Sequence, residues 1–136
     1  MAYQWDSTLE SGYDTVDNQH KQLVAALNAL IEASKSGKSD NAVMETMDFL
    51  TGYAVKHFSD EEKLQVKYNY PDYLNHKGIH DDFKKTVRGL TDRLVKEGPS
   101  EKLVNEVTDS LGSWLINHIK GDDFRMATFV KNASRA

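Results

Sequence analysis

The chain has no cysteine. Its 136 residues therefore offer no disulfide, no thiolate zinc site, no iron–sulfur cluster and no cysteine nucleophile. Proline occurs twice and glycine eight times, so little interrupts long helices. Basic charge is not in excess: 17 Lys and Arg stand against 21 Asp and Glu, a formal net charge of -4. That balance disfavours nucleic acid or an anionic membrane as the main partner, because no basic patch would drive counterion release. No apolar run approaches the length that spans a bilayer. The opening "MAYQWDSTLE" has neither the basic start nor the apolar stretch of a signal peptide, so a cytoplasmic location is expected. The 39% hydrophobic and 28% charged content is that of a soluble globular chain. The length allows one domain, residues 1–136, around a single core.

The breakers fall in three clusters: "SKSGKSD" at 34–40, "YNYPD" at 68–72 and "EGPS" at 97–100. They leave four segments of helical length, about 17–36, 40–68, 72–97 and 100–120, between an N-terminal arm (1–16) and a C-terminal segment (121–136). Asp17, Asp40, Asp72 and Ser100 are expected N-caps, and Gly37 and Gly98 mark helix ends. Within each segment the apolar positions step by three and four. Leu23, Val24, Leu27, Leu30 and Ile31 share one face of the first. The second carries Val43, Met47, Leu50, Ala54, His57, Glu61, Leu64 and Tyr68, and the third Tyr73, His76, His80, Phe83, Val87, Leu90 and Leu94. Val104, Val107, Leu111, Trp114 or Leu115, and His118 mark the fourth. Short connections make successive helices antiparallel, which predicts an all-α, up-down-up-down four-helix bundle. Tyr3, Trp5 and Tyr13 are expected to pack the arm along it.

All five histidines follow these apolar stripes. His57, His76, His80 and His118 lie on them, and His20 opens the first helix one turn before Leu23 and Val24. A lone core histidine commonly finds one local partner and has no further role. Five together, spread over four helices with carboxylates beside them, do not fit that account. His57 and Glu61 are four residues apart, as are His76 and His80, so each pair projects from one helix face. Two imidazoles at a rise of roughly 6 Å can chelate one ion. In "HIKGDD", Asp123 stands five residues after His118, about 140° away on a regular helix, while Asp122 stands four after it. Gly121 allows the backbone to depart from regular helix. Spacing alone leaves the two acids open. Nitrogen and oxygen ligands suit iron, zinc, manganese or copper rather than calcium or magnesium. Seven ligands are too many for one ion and suit two, with the carboxylates bridging. The Glu-x-x-His signature of the ferritin-like di-iron proteins is absent.

The ordered set "WDSTLESGYDTVDNQHKQLV", "HFSDEE", "YPDYLNHKGIHDDF" and "WLINHIKGDDF" resembles hemerythrin, in particular the stand-alone bacterial hemerythrins, over nearly the whole chain. The resemblance implies that His76, His80 and His118 hold one iron and His20 and His57 a second, with Glu61 and Asp123 bridging both. It thereby selects Asp123 over Asp122. It also implies reversible dioxygen binding at the open position of the two-histidine iron, for storage, delivery or scavenging. Phe58, Trp114, Leu115 and Ile119 correspond to the family's apolar oxygen pocket, and equally to ordinary bundle core. Gln65 stands where the family suggests methionine or another apolar residue. An amide in the pocket would bond to bound oxygen or admit water and speed autoxidation. A side chain turned outward would do neither.

No phosphate loop, nucleotide fingerprint or nucleophile–base pairing points to another chemistry. Dioxygen is thus the expected partner, with a protein acceptor of oxygen as a second, and the chain is expected to be monomeric. The alternatives are a di-iron oxidase, peroxidase or nitric-oxide-handling enzyme, an oxygen or iron sensor acting through a partner, and a dizinc protein.

Overall fold

The computed structural model describes residues 3–135. Its helices are α1 (Asp14–Lys35), α2 (Asp40–Lys67), α3 (Tyr73–Glu97), α4 (Glu101–His118) and α5 (Phe124–Ser134). A π-turn, Ile119–Asp123, joins α4 to α5, and a single 3-10 turn, Ser7–Leu9, lies in the arm. There is no strand among the described residues. α1 to α4 form the up-down-up-down bundle, with α1 packed on α2 and α4, and α3 on α2 and α4.

Local chemistry sets the ends. Ser39 caps α2 by accepting from the Ala42 N–H at 3.2 Å, so Asp40 is the first helical residue and not the cap. Ser100 caps α4 through the Leu103 N–H at 3.1 Å. Asp72 occupies the cap position of α3 without a side-chain capping bond. Asp17 lies inside α1 and is not its cap. Its buried carboxylate accepts from Ser11 N (2.9 Å), Ser11 Oγ (2.8 Å) and Gly12 N (3.2 Å), pinning the arm's last turn to the helix. Gly98, at φ 84°, ends α3 in a conformation that side chains resist.

Two apolar clusters fill the interior. The larger runs along the bundle through Leu27, Leu30, Met47, Phe58, Leu94, Val104, Val107 and Leu115, and takes in Tyr3 and Trp5 from the arm. The smaller joins Val16 of α1 to Met126 and Val130 of α5, with Tyr13, Leu64, Tyr68 and Tyr70 packed against it. The C-terminal segment is therefore mostly helical. α5 buries Met126, Ala127 and Val130, a helical spacing that the turn-like "KGDD" before it obscures in the sequence. One turn beyond Glu61, the fully buried residue is Gln65, while Leu64 is half-buried.

Candidate metal centre

His20, His57, Glu61, His76, His80, His118 and Asp123 are all buried, at 3% exposure or less, in one polar layer. α1 supplies His20, α2 supplies His57 and Glu61, α3 supplies His76 and His80, and α4 with its π-turn supplies His118 and Asp123. The π-turn is what allows the last pair. Its Phe124 N–H bonds the Ile119 carbonyl five residues back, so residues five apart come into line. Asp123 Oδ1 then sits 3.0 Å from His118 Nε2, and Asp122 Oδ2 lies 3.0 Å from the other ring nitrogen, Nδ1. The structure gives each of the two acids a different side of the same imidazole.

The carboxylate oxygens divide the imidazoles into two groups. Glu61 Oε2 lies 3.3 Å from His20 Nε2 and 3.0 Å from His57 Nε2. Glu61 Oε1 lies 3.7 Å from His76 Nε2 and 3.3 Å from His80 Nε2. Asp123 repeats the pattern, with Oδ2 at 2.8 Å from His20 Nε2 and Oδ1 at 3.0 Å from His76 Nε2. Each carboxylate thus turns one oxygen to a two-histidine group and the other to a three-histidine group. The ligand atoms of each group lie within 4.8 Å of one another, near enough to hold one ion per group.

The outer face of the layer fixes the ring tautomers. His57 Nδ1 lies 2.7 Å from Gln19 Oε1, and the Gln19 amide nitrogen donates to Asp60 at 2.9 Å. His80 Nδ1 lies 3.0 Å from Glu62 Oε2. These partners, with Asp122 at His118, accept hydrogen bonds, so each of the three Nδ1 atoms carries the proton and its Nε2 lone pair faces inward. The donor set then has a deficit of positive charge. His80 Nε2 and His118 Nε2 face each other at 3.1 Å, and His57 Nε2 and Glu61 Oε1 are buried without a hydrogen bond. Such an arrangement fits cations between the rings. Without them, protons fill part of the deficit. Burial opposes the charge on His20 and on His76, yet bonds to Asp123 and Glu61 outweigh it and push each up to about 9. Burial also opposes charge on Glu61, but His57, His20 and His76 hold its carboxyl well below the usual range.

Four of the five other sequence candidates surround the layer on one side. Phe58 stacks on His80 with ring centres 4.1 Å apart, and Trp114 stacks on His118 at 4.4 Å and on Phe83 at 3.8 Å. Leu115 and Ile119 are buried beside them. Phe58 and Leu115 close one end of an apolar cavity that also touches Leu23, Leu27, Phe83 and Leu111. A surface groove between α2 and α3 shares Thr51, Ala54, Phe58, Phe83 and Val87 with it. Gln65 does not line that cavity. It is buried near the other apolar cluster, to which its neighbours Leu64 and Tyr68 contribute. The sequence had no signal for Gln19, Glu62 and Asp122 as partners of the ring nitrogens, because that pairing depends on how the helices are rotated.

The bundle and its buried histidine–carboxylate layer define a four-helix metal-binding protein. The Hemerythrin HHE cation binding domain matches residues 11–130. The myohemerythrin of Theromyzon tessulatum is 36% identical over 123 residues, 90% of this chain and 89% of that protein. The bacteriohemerythrin of Pseudomonas paraeruginosa is 34% identical over 129 residues, 95% of this chain and 82% of that protein. The wild-type hemerythrin crystal structure superposes with a TM-score of 0.81 at 24% identity, covering 96% of this chain and 98% of that one, a likeness of fold. The chain belongs to the hemerythrin family. No described helix is long and apolar enough to cross a membrane.

Proposed function

We propose that the chain binds dioxygen reversibly at a pair of non-heme iron ions. The supporting observation is the unequal split of the donor set: both carboxylates face two groups of imidazoles, one of three and one of two. His76, His80 and His118 would hold one ion, His20 and His57 the other, and Glu61 and Asp123 would bridge them. With only His20 and His57 as imidazoles, the smaller group would leave room for a small ligand. Two ferrous ions held there would supply the two electrons for reversible dioxygen binding.

The protein's own part is to position, to dry and to insulate. Gln19, Glu62 and Asp122 hold three imidazoles in the binding tautomer. Phe58, Trp114, Leu115 and Ile119 keep the layer's flank apolar, which admits an uncharged diatomic and limits access of protons. The chain is read as a monomer in the cytoplasm that stores, delivers or scavenges oxygen, with or without a protein acceptor.

The test is optical. Protein loaded with ferrous iron under argon is given oxygen and then stripped of it. Visible charge-transfer bands that vanish on stripping and return on re-aeration are the expected result. Irreversible conversion with reductant-driven turnover would replace the carrier reading with a di-iron redox enzyme.

A further inference from the structure

Apart from the inward-facing atoms of His57 and Glu61, two buried polar groups in α1 and α2 lack partners among the described residues. One is His20 Nδ1, the single outer ring nitrogen of the layer that is buried and unbonded among the described residues. The other is the side-chain amide of Gln65, whose Oε1 and Nε2 are both buried and unbonded. Each residue is wholly enclosed, at 0% exposure. Leaving such atoms unbonded in an apolar surround is costly, and the groups are complementary: an N–H donor and an amide acceptor.

Their placement brings them to one level. α1 and α2 run antiparallel, with Gln19 bonded to His57 and Asp60, and His20 Nε2 3.3 Å from Glu61 Oε2. Gln65 follows Glu61 by one turn on the same face of α2, a rise of about 6 Å. A helical side chain leans toward its own helix's N-terminus. The His20 ring therefore leans the way α2 advances from Glu61 to Gln65. Val16, one turn before His20, packs in the same cluster as Leu64 and Tyr68, which flank Gln65 in sequence.

We infer that Gln65 is the positioning residue for His20: a change of side-chain rotamer lets Oε1 accept the Nδ1–H of His20 and keeps the Nε2 lone pair turned inward. Gln65 then does for His20 what Gln19 does for His57. Because His20 is one of only two imidazoles in the smaller group, the effect falls on that group's ion alone. This rests on the two-ion reading of the site and adds to it a role on the side away from the apolar cavity.

The test uses zinc, which needs no oxygen chemistry, with wild type, Gln65→Leu and Gln65→Glu. In calorimetric titration the wild type takes two zinc ions per chain. Gln65→Leu weakens one site about 10- to 100-fold and spares the other, and Gln65→Glu, which retains an acceptor, restores it. In nitrogen-correlated NMR of the zinc form, the hydrogen-bonded His20 Nδ1–H signal is lost in Gln65→Leu, while those of His57, His80 and His118 hold. Gln65→Met, similar in length, replaces Gln65→Leu if the latter does not fold. Both zinc sites and the His20 signal unchanged would overturn the inference. So would a Leu variant that is more heat-stable when metal-free and binds zinc as the wild type does, the behaviour of an amide with no partner. A wild type holding fewer than two zinc ions would overturn the two-ion reading as well.

Discussion

Stripping the metal should lower stability far more than any single surface change, and the two ions should contribute separately. In the metal-free layer, His57 Nε2 and Glu61 Oε1 are buried without hydrogen bonds, each at a cost of about 1–3 kcal/mol. Ions that bind the folded chain and not the unfolded one stabilise it by mass action. One site at a free concentration 100 times its dissociation constant gives about 2.7 kcal/mol, and two independent sites give about 5 kcal/mol. For a chain of this length roughly 3–5 °C in Tm follows each kcal/mol, so loading should raise Tm by roughly 15–25 °C. His57→Ala provides the control. It removes one ring of the two-histidine group together with its bond to Gln19 and its hold on the Glu61 carboxylate, so the variant is compared with its own metal-free form, and the gain from loading falls by about half. The assay is thermal unfolding by circular dichroism, chelated against loaded, with ferrous iron under argon and with zinc. No gain on loading the wild type, or the full gain in His57→Ala, would refute the reasoning.

Glu62→Leu should weaken metal at the three-histidine group by about 10- to 100-fold, because it removes the acceptor 3.0 Å from His80 Nδ1, while Glu62→Gln, which keeps an acceptor, should retain most of the affinity; competitive chelation measures both, and the other site should hold. Gly112→Ala should destabilise by about 1–3 kcal/mol in chemical denaturation, since a Cβ there would fall 2.1 Å from Tyr3 Oη, and truncating Tyr3 to Ala in the same chain should recover part of the loss. For the metal-free protein the pH dependence follows from His20 and His76, both raised from 6.5 to about 9. Folded-state pKa values above the unfolded ones give stability that is fully present below pH 6.5 and lost as pH rises through 9. Metal-free Tm should therefore fall over that window, and a flat profile would remove this account of the empty layer.

The helices and most of the metal layer were legible because one signal, apolar spacing of three and four, carries both. A polar residue such as His80 that keeps step with Phe83 and Val87 declares itself as inward-facing, and five such exceptions share one chemistry. The signal weakens where two registers both fit. Leu64 and Gln65 each stand three or four residues from Glu61, and hydrophobicity favours Leu64, yet the structure buries Gln65 completely. It fails where side chains reach across helices: Asp17 reads as a cap by its residue type, but its carboxylate serves Ser11 and Gly12 of the arm. Gln19, Glu62 and Asp122 escaped for the same reason. Each stands on the edge of its stripe, and only the rotation of neighbouring helices decides whether an edge residue meets a ring or water.

The π-turn shows how one local irregularity serves both chemistry and packing. On a regular helix the residue facing the layer after His118 would be Asp122, and Asp123 would swing away by about 100°. The i to i+5 bonding of Ile119–Asp123 gives Asp123 the inward position and moves Asp122 to the outer ring nitrogen, so that one short acidic pair meets both nitrogens of His118. Without the turn, Asp122 and Asp123 could not both reach His118. Beyond the turn, α5 packs Met126 and Val130 with Val16 of α1 and also contacts α2, which supports the distorted backbone from its C-terminal side. The smaller apolar cluster thereby bears on where the Asp123 carboxylate sits.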